Sequence, residues 1–184
     1  MNKIKKKKQK VIFKSLRLKS LKKKQILSIC KLKNTFWKWT IKNQLEWFNK
    51  TVKKTDINNM LIINNRLVGY TLLRKRKAYN NKRLLVYYYF DSFLIHKKYR
   101  NKGLGTELMF FNSKTLKKLR QHSFLICPAD KINFYIKNNW KLLPKNKFKI
   151  MDHKSFWFKN KIHIKGMTFN FEKEIKNKIY YYIN

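Results

Sequence analysis

The chain has 184 residues, 43% of them apolar and 16% aromatic, which suits one folded domain with a real core and argues against a disordered polyelectrolyte. Its 47 Lys and Arg face only 8 Asp and Glu, so the formal charge of +39 favours polyanions or phosphorylated ligands and supplies few carboxylates for a polycationic one. Two separated cysteines, Cys30 and Cys127, and four scattered histidines, His96, His122, His153 and His163, show neither a disulfide framework nor a metal-ligand spacing and fit a reducing cytoplasm.

Residues 1–10 are mostly lysine and read as a basic disordered tail. They look like the n-region of a signal peptide, but Val11 to Leu18 is broken by charges, and no run approaches the ~18 apolar residues of a membrane span. The alternation in Val11–Leu18 predicts a first strand instead. Leu21, Ile26, Leu27, Ile29, Cys30 and Leu32, set among lysines, predict a short helix over 21–33. Thr40 is placed to cap a second helix in which Gln44, Trp47 and Phe48 share a side.

Met60–Ile63 and Leu67–Leu73 read as strands joined at Asn64-Asn65, because Asn tolerates the positive φ of a tight hairpin. Residues 75–82 read as a polar connection, and 84–95, rich in Tyr and Phe, as the longest and most central strand. A cationic loop follows, then a helix to about Leu119 whose inward face is expected at Leu104, Leu108, Phe111, Thr115 and Leu119. A strand over 121–127 is stopped by Pro128, and Asp130 is placed to cap a helix to about Asn138. Short strands are expected at 147–151, 154–158 and 162–171, with Gly166 as a bend, and 172–184 is left as a basic tail. This order predicts an α/β mixed sheet with helices on both faces, forming a single domain over 11–171.

The chemistry concentrates at the end of the long strand. Gly103 and Gly105 are half of the four glycines in the chain, and they stand between a strand and a helix. Such a turn gathers backbone N–H groups and the positive end of a helix dipole at one point, which suits a phosphate or pyrophosphate. It lacks the third glycine and distant acid of a dinucleotide fingerprint, and no Gly-Lys-Ser/Thr makes it a Walker loop. Arg100-x-x-Gly103-x-Gly105, preceded by Phe93-Leu-Ile-His-Lys-Lys-Tyr, resembles the acetyl-CoA loop of the GNAT acetyltransferase superfamily. Ile132-Asn-Phe-Tyr-Ile-Lys-Asn-Asn-Trp140 is similar to that family's Phe-Tyr-x-x-x-Gly-Phe/Trp segment, with Asn139 in place of the glycine and Pro128 in place of an upstream asparagine that often touches the cofactor.

The resemblance implies the GNAT acyl-CoA N-acyltransferase fold and acetyl transfer from acetyl-CoA to an amine. It places pantetheine on the backbone of Phe93, Leu94 and Ile95, and the pyrophosphate on Arg100, Asn101, Lys102, Gly103, Leu104, Gly105 and Thr106. It gives Tyr135 the task of protonating the departing thiolate, which a phenol can do without first losing its own proton. Asp91 is the acid best placed to take a proton from the amine; pairing with a neighbouring cation, and a water-mediated base, stay open. Tyr135 and the cluster Trp37, Trp39, Trp47 and Phe48 also fit plain core positions. Scarcity of acids favours a small or anionic acceptor, such as an amino sugar or a nucleotide-linked amino sugar. The alternative is nucleic-acid binding, or acetylation of a ribonucleoprotein, driven by charge that also follows from a compositional bias toward Lys, Asn, Ile and Tyr.

Overall fold

The computed structural model describes residues 10–151, 164–171 and 177–184, so the expected strand at 154–158 and most of the amino-terminal tail lie outside the described residues. The elements are β1 (Val11–Arg17), α1 (Lys23–Asn34), α2 (Ile41–Thr51), β2 (Ile57–Ile63), β3 (Arg66–Asn80) and β4 (Arg83–Ile95), then α3 (Leu104–Lys118), β5 (Ser123–Pro128), α4 (Ile132–Ile136), β6 (Lys141–Leu143), β7 (Phe148–Ile150), β8 (Ile164–Phe169) and β9 (Ile179–Tyr181). They form one mixed sheet in the order β1-β2-β3-β4-β5-β8-β6, with β9 joined to β3 and β7. Among the described residues only β4–β5 and β7–β9 pair in parallel. One face carries α1 and α2 over Ile29, Phe48, Met60, Tyr70 and Leu94, and the other carries α3 over Leu61, Val68, Ile95 and Leu108. No helix among the described residues is long and apolar enough to cross a membrane.

Local chemistry sets several of these elements as expected. The Thr40 hydroxyl accepts from Asn43 N at 3.1 Å and starts α2. Asn64 and Asn65 take φ of 48° and 63° and close the β2–β3 hairpin.

The polar connection expected at 75–82 is instead the outer half of β3, and only Asn81 and Lys82 make the turn. Arg74, Arg76 and Ala78 alternate inward with Lys75, Lys77 and Tyr79 outward. Arg76 is tolerated inside because Asp56 meets it at 2.9 Å, with side chains 3% and 0% exposed, and that carboxylate also accepts from the backbone N–H of Lys53 and Lys75. Charge hid a strand whose alternation was intact.

Four other expectations are corrected. The inward face of α3 is Leu104, Leu108, Met109, Asn112 and Leu116, while Phe111, Thr115 and Leu119 are only half-buried. Asn112 belongs inside because Asn59 donates to it at 2.7 Å and it donates to Thr71 at 3.0 Å, partners invisible to a hydropathy pattern. Asp130 caps nothing: a 3-10 turn absorbs Ala129–Lys131 and the carboxylate pairs with Lys131 in solvent. Gly166 is no bend but a strand residue between β5 and β6, where a Cβ would lie 2.6 Å from the Phe148 ring. The tail drawn from 172 ends in a strand, since Ile179 and Tyr181 are fully buried and Tyr181 stacks on Phe124 at 3.9 Å.

His122 lies beside these residues, stacked on Tyr87 at 5.6 Å and edge-on to Phe171 at 4.9 Å, with its Nε2 buried and without a hydrogen-bond partner among the described residues. Burial lowers its pKa to about 4. A histidine held neutral in the fold leaves stability whole above its unfolded pKa near 6.5 and lost as pH falls from there through about 4, by up to ~3 kcal/mol. Urea unfolding across that window will show this loss, and a His122→Phe variant will lack it; parallel pH profiles for the two proteins would contradict it.

Candidate active site

The site begins where two parallel strands part. β4 and β5 pair only at Tyr88–Ser123 and Tyr89–Phe124, fastened by the Ser123 hydroxyl donating to Tyr88 O at 2.6 Å. Beyond Tyr89, β4 continues on β3 while β5 continues on β8, so the two strands stop sharing hydrogen bonds. A bulge accompanies the separation: Asp91 faces Leu72 but Leu94 faces Tyr70, so β4 advances three residues against two on β3. Ser92 takes φ of 57° there, a left-handed conformation costing a serine about 1 kcal/mol. That kink turns the backbone of Ser92 and Phe93 away from the ladder.

At the end of β4 the chain folds into a tight loop. His96 N donates to Val68 O at 2.8 Å, and Tyr99 N and Arg100 N donate back to His96 O and Lys97 O. Asn101 and Gly103 adopt φ of 58° and 75° before α3 begins. Among the described residues none of the six backbone N–H groups of 101–106 has a hydrogen-bond acceptor. They sit at the positive end of the α3 dipole, an arrangement that receives an anion. Arg100 holds the loop rather than extending from it, since its Nε donates to Ile95 O at 3.1 Å and its guanidinium lies 4.7 Å from the Phe36 ring. Lys102 lies on Tyr99 at 5.8 Å.

Across the gap, α4 presents Phe134 and Tyr135. Phe134 packs on Phe93 at 5.5 Å, and its ring would be 3.7 Å from a Cβ at Gly105. Tyr135 stands edge-on to Phe90 and Trp140 at 6.4 and 6.0 Å, and its hydroxyl has no partner among the described residues. Burial first, and then the neighbouring Cys127, push its pKa well above the usual phenol range, so the hydroxyl keeps its proton. The turn after α4 is closed by Asn139 at φ 65°, with Trp140 N donating to Tyr135 O at 3.1 Å. Asparagine therefore fills the left-handed cap position.

The opposite face of the bulge carries charge. Asp91 accepts from Ser92 Oγ at 2.9 Å and lies 3.4 Å from Arg74 Nη1, so its cationic partner is an arginine from β3. Lys33, on α1, places Nζ 3.1 Å from the Trp47 ring centroid and 5.5 Å from that of Trp37. It is only 3% exposed, and burial, opposed by Asp91 and Cys30, lowers its pKa to about 8. A desolvated cation–π contact contributes ~2 kcal/mol, less than the several kcal/mol that burying an ammonium costs. Of the expected aromatic cluster, Phe48 is core, Trp39 is exposed, and Trp37 and Trp47 flank this lysine. Sequence reading passed over Lys33, although Ile26, Ile29, Cys30 and Lys33 share one helical face and mark it as an inward position.

Elsewhere, Arg17, Lys114 and Lys118 rim a groove of about 420 Å³ between β1 and α3, floored by Leu16 and Phe111 and distinct from the loop.

The model of the acetyltransferase (GNAT) family matches residues 26–137. Among solved structures, Escherichia coli ElaA aligns with a TM-score of 0.59 at 16% identity, over 86% of this chain and 99% of its own. The Escherichia coli GNAT family N-acetyltransferase YhbS, in complex with CoA, gives 0.64 at 10% identity over 93% and 89%. An aminoglycoside 6'-N-acetyltransferase complexed with coenzyme A gives 0.58 at 13% identity over 84% and 94%. At such identities these likenesses concern the fold. No curated protein matches the sequence.

The two loop glycines have different duties, which substitution separates. A Cβ at Gly103 meets nothing within 4 Å but must take φ of 75°, so Gly103→Ala will lower stability by about 1 kcal/mol. Gly105 is helical with only an ordinary contact at 3.7 Å, so Gly105→Ala will raise stability by roughly 0.5–1 kcal/mol. Denaturant midpoints decide the matter, and equal shifts for the two would contradict it.

Proposed function

The chain belongs to the GNAT acetyltransferase family, and on that premise we propose that the free amides of 101–106 hold the pyrophosphate of acetyl-CoA while Tyr135 protonates the departing thiolate. Family membership makes the protein an acetyl-CoA-dependent N-acetyltransferase; the roles of individual residues and the kind of amine are our reading. The observation that carries it is the row of unpartnered N–H groups opening α3 beside strands that have just parted.

The rest follows from the chain's own groups. Backbone of Phe93, Leu94 and Ile95, beyond the last β4–β5 pair, is free on that edge to pair with the pantetheine arm. Amides turned by the bulge at Ser92 and Phe93 steady the carbonyl oxygen as negative charge develops on it. Tyr135, kept protonated by its burial, delivers a proton to sulfur and leaves the low-dielectric site without a buried thiolate. Asp91 draws in the acceptor ammonium and takes its proton, directly or through a water, while Arg74 holds the carboxylate in place. Arg100 contributes by pinning the loop to Ile95. Pro128, which offers no N–H, leaves the cofactor to be held mainly from the β4 side.

The acceptor is a small or anionic amine, an amino sugar or a nucleotide-linked amino sugar being the examples that suit a surface of +39 charge. A polycation would meet Lys33 and Arg74 beside one carboxylate. A nucleic-acid role draws on charge and on the basic groove between β1 and α3, and neither accounts for the free amides.

Calorimetry with acetyl-CoA tests this reading. The folded wild type will bind, and a Gly103→Asp/Gly105→Asp double variant will lose at least about a hundredfold in affinity as two carboxylates enter the anion site. Tyr135→Phe will bind normally and lose ~10²–10⁴ in kcat. Absence of binding by folded protein, or full binding by the double variant, would overturn it.

A further inference from the structure

The charges on the α1 side of the bulge do not balance. Arg74 meets Asp91 at 3.4 Å through Nη1, yet its Nε is buried with no hydrogen-bond partner among the described residues, and the residue is only 6% exposed. Lys33, 3% exposed, has no carboxylate within ion-pair distance among the described residues and lies against Trp47 and Trp37. It stands near enough to Arg74 and Asp91 for each to influence its charge. Among the described residues two buried cations thus share a single carboxylate, and one N–H donor of a guanidinium, which also lies 6.0 Å from the Tyr89 ring, has no acceptor. Native interiors pair their buried charges and satisfy their buried donors, so such a set calls for an anion from outside.

We propose that Lys33 and Arg74 bind a carboxylate of the acceptor, so that the amine acetylated belongs to an amino-acid-like molecule carrying one negative charge beside its amino group.

The inference rests on the acetyltransferase reading and narrows its acceptor. Asp91 immediately precedes the bulge at Ser92 and Phe93, so an amine drawn to Asp91 lies next to the backbone assigned to the thioester carbonyl. Its carboxylate would then fall to the two cations flanking Asp91, as the two ends of a zwitterion require. A planar carboxylate matches the free Nε side of one guanidinium, with Lys33 supplying the second charge. Asp91, with a side chain 21% exposed, is where the cluster opens to solvent, and Trp37 and Trp47 pack on Lys33 with apolar rings. Neutral amines would leave the Nε donor and the ammonium unanswered, which is how a polar site rejects an analogue lacking its partner group.

The test measures thiol release from acetyl-CoA with the twenty amino acids, each beside its carboxamide, and with glucosamine, glucosamine 6-phosphate and O-phosphoethanolamine. At least one amino acid will exceed its carboxamide in kcat/KM by about tenfold or more. Lys33→Met will cut that amino acid's kcat/KM by a similar factor and leave the carboxamide within about threefold, so the ratio between them collapses. Arg74→Lys, which keeps the charge and loses Nε, will collapse it too and decides the matter if Lys33→Met fails to fold, as judged by its thermal midpoint. Equal or better rates for carboxamides or neutral amines, a preference for the phosphate-bearing amines, no turnover of any amino acid, or an acid-to-amide ratio that survives both substitutions would each overturn the proposal. Failure of acetyl-CoA to bind in calorimetry marks the separate failure of the enzyme reading, because acceptor preference plays no part in that measurement.

Discussion

The separation of β4 from β5 after Tyr89 is the constraint on which the site depends. Two parallel strands that share only two residue pairs leave the backbone edges of Phe90–Ile95 and Leu125–Pro128 unmatched to one another. Backbone groups that are neither paired nor covered are costly in a protein interior, so a sheet left open in its middle is stable where something of matching polarity fills the gap. Here the opening is built in from both sides. The Ser123–Tyr88 bond clamps the closed end, and the left-handed Ser92 turns β4 away at the open end.

From that wedge the two faces of the sheet divide the work. The α3 and α4 face supplies the dipole, the free amides and a protonated phenol surrounded by aromatic rings, an environment for a nucleotide-bearing thioester. The α1 and α2 face supplies Asp91, Arg74 and Lys33 with two tryptophans, where we place the acceptor amine. Buried polar residues brace both. Asp56 ties the entry of β2 to Lys75 and Arg76 of β3, and Asn112 ties α3 to Asn59 and Thr71 beneath it, so the helix bearing the anion site is fixed to the central strands by hydrogen bonds as well as by packing.

Much of the local structure around the loop was legible in the residues themselves. Glycine and asparagine at turns, a strand of aromatics and a capping threonine are local signals, and apart from the cap expected at Asp130 these survived: the hairpin at Asn64-Asn65, the start of α2, the loop and the cap at Asn139 stand where the sequence puts them. Most of what failed was decided by a distant partner. Arg76 looks like a loop residue until Asp56 is opposite it, Asn112 looks exposed until Thr71 is beneath it, and Gly166 looks like a bend until Phe148 lies over it. The cluster we propose for the acceptor was hidden for the same reason, since Lys33 and Arg74 are charged residues in a chain crowded with them. Their position in the fold, and not their type, sets them apart.

The most direct measurement is residue-resolved amide hydrogen exchange over 101–106, with and without coenzyme A. Six N–H groups lacking an acceptor should exchange rapidly in the free protein and become protected together when the pyrophosphate is bound, while the buried strands of the sheet change little. Coenzyme A that binds without slowing those amides, or protection that falls instead on the groove between β1 and α3, would place the donor site elsewhere and contradict the central claim.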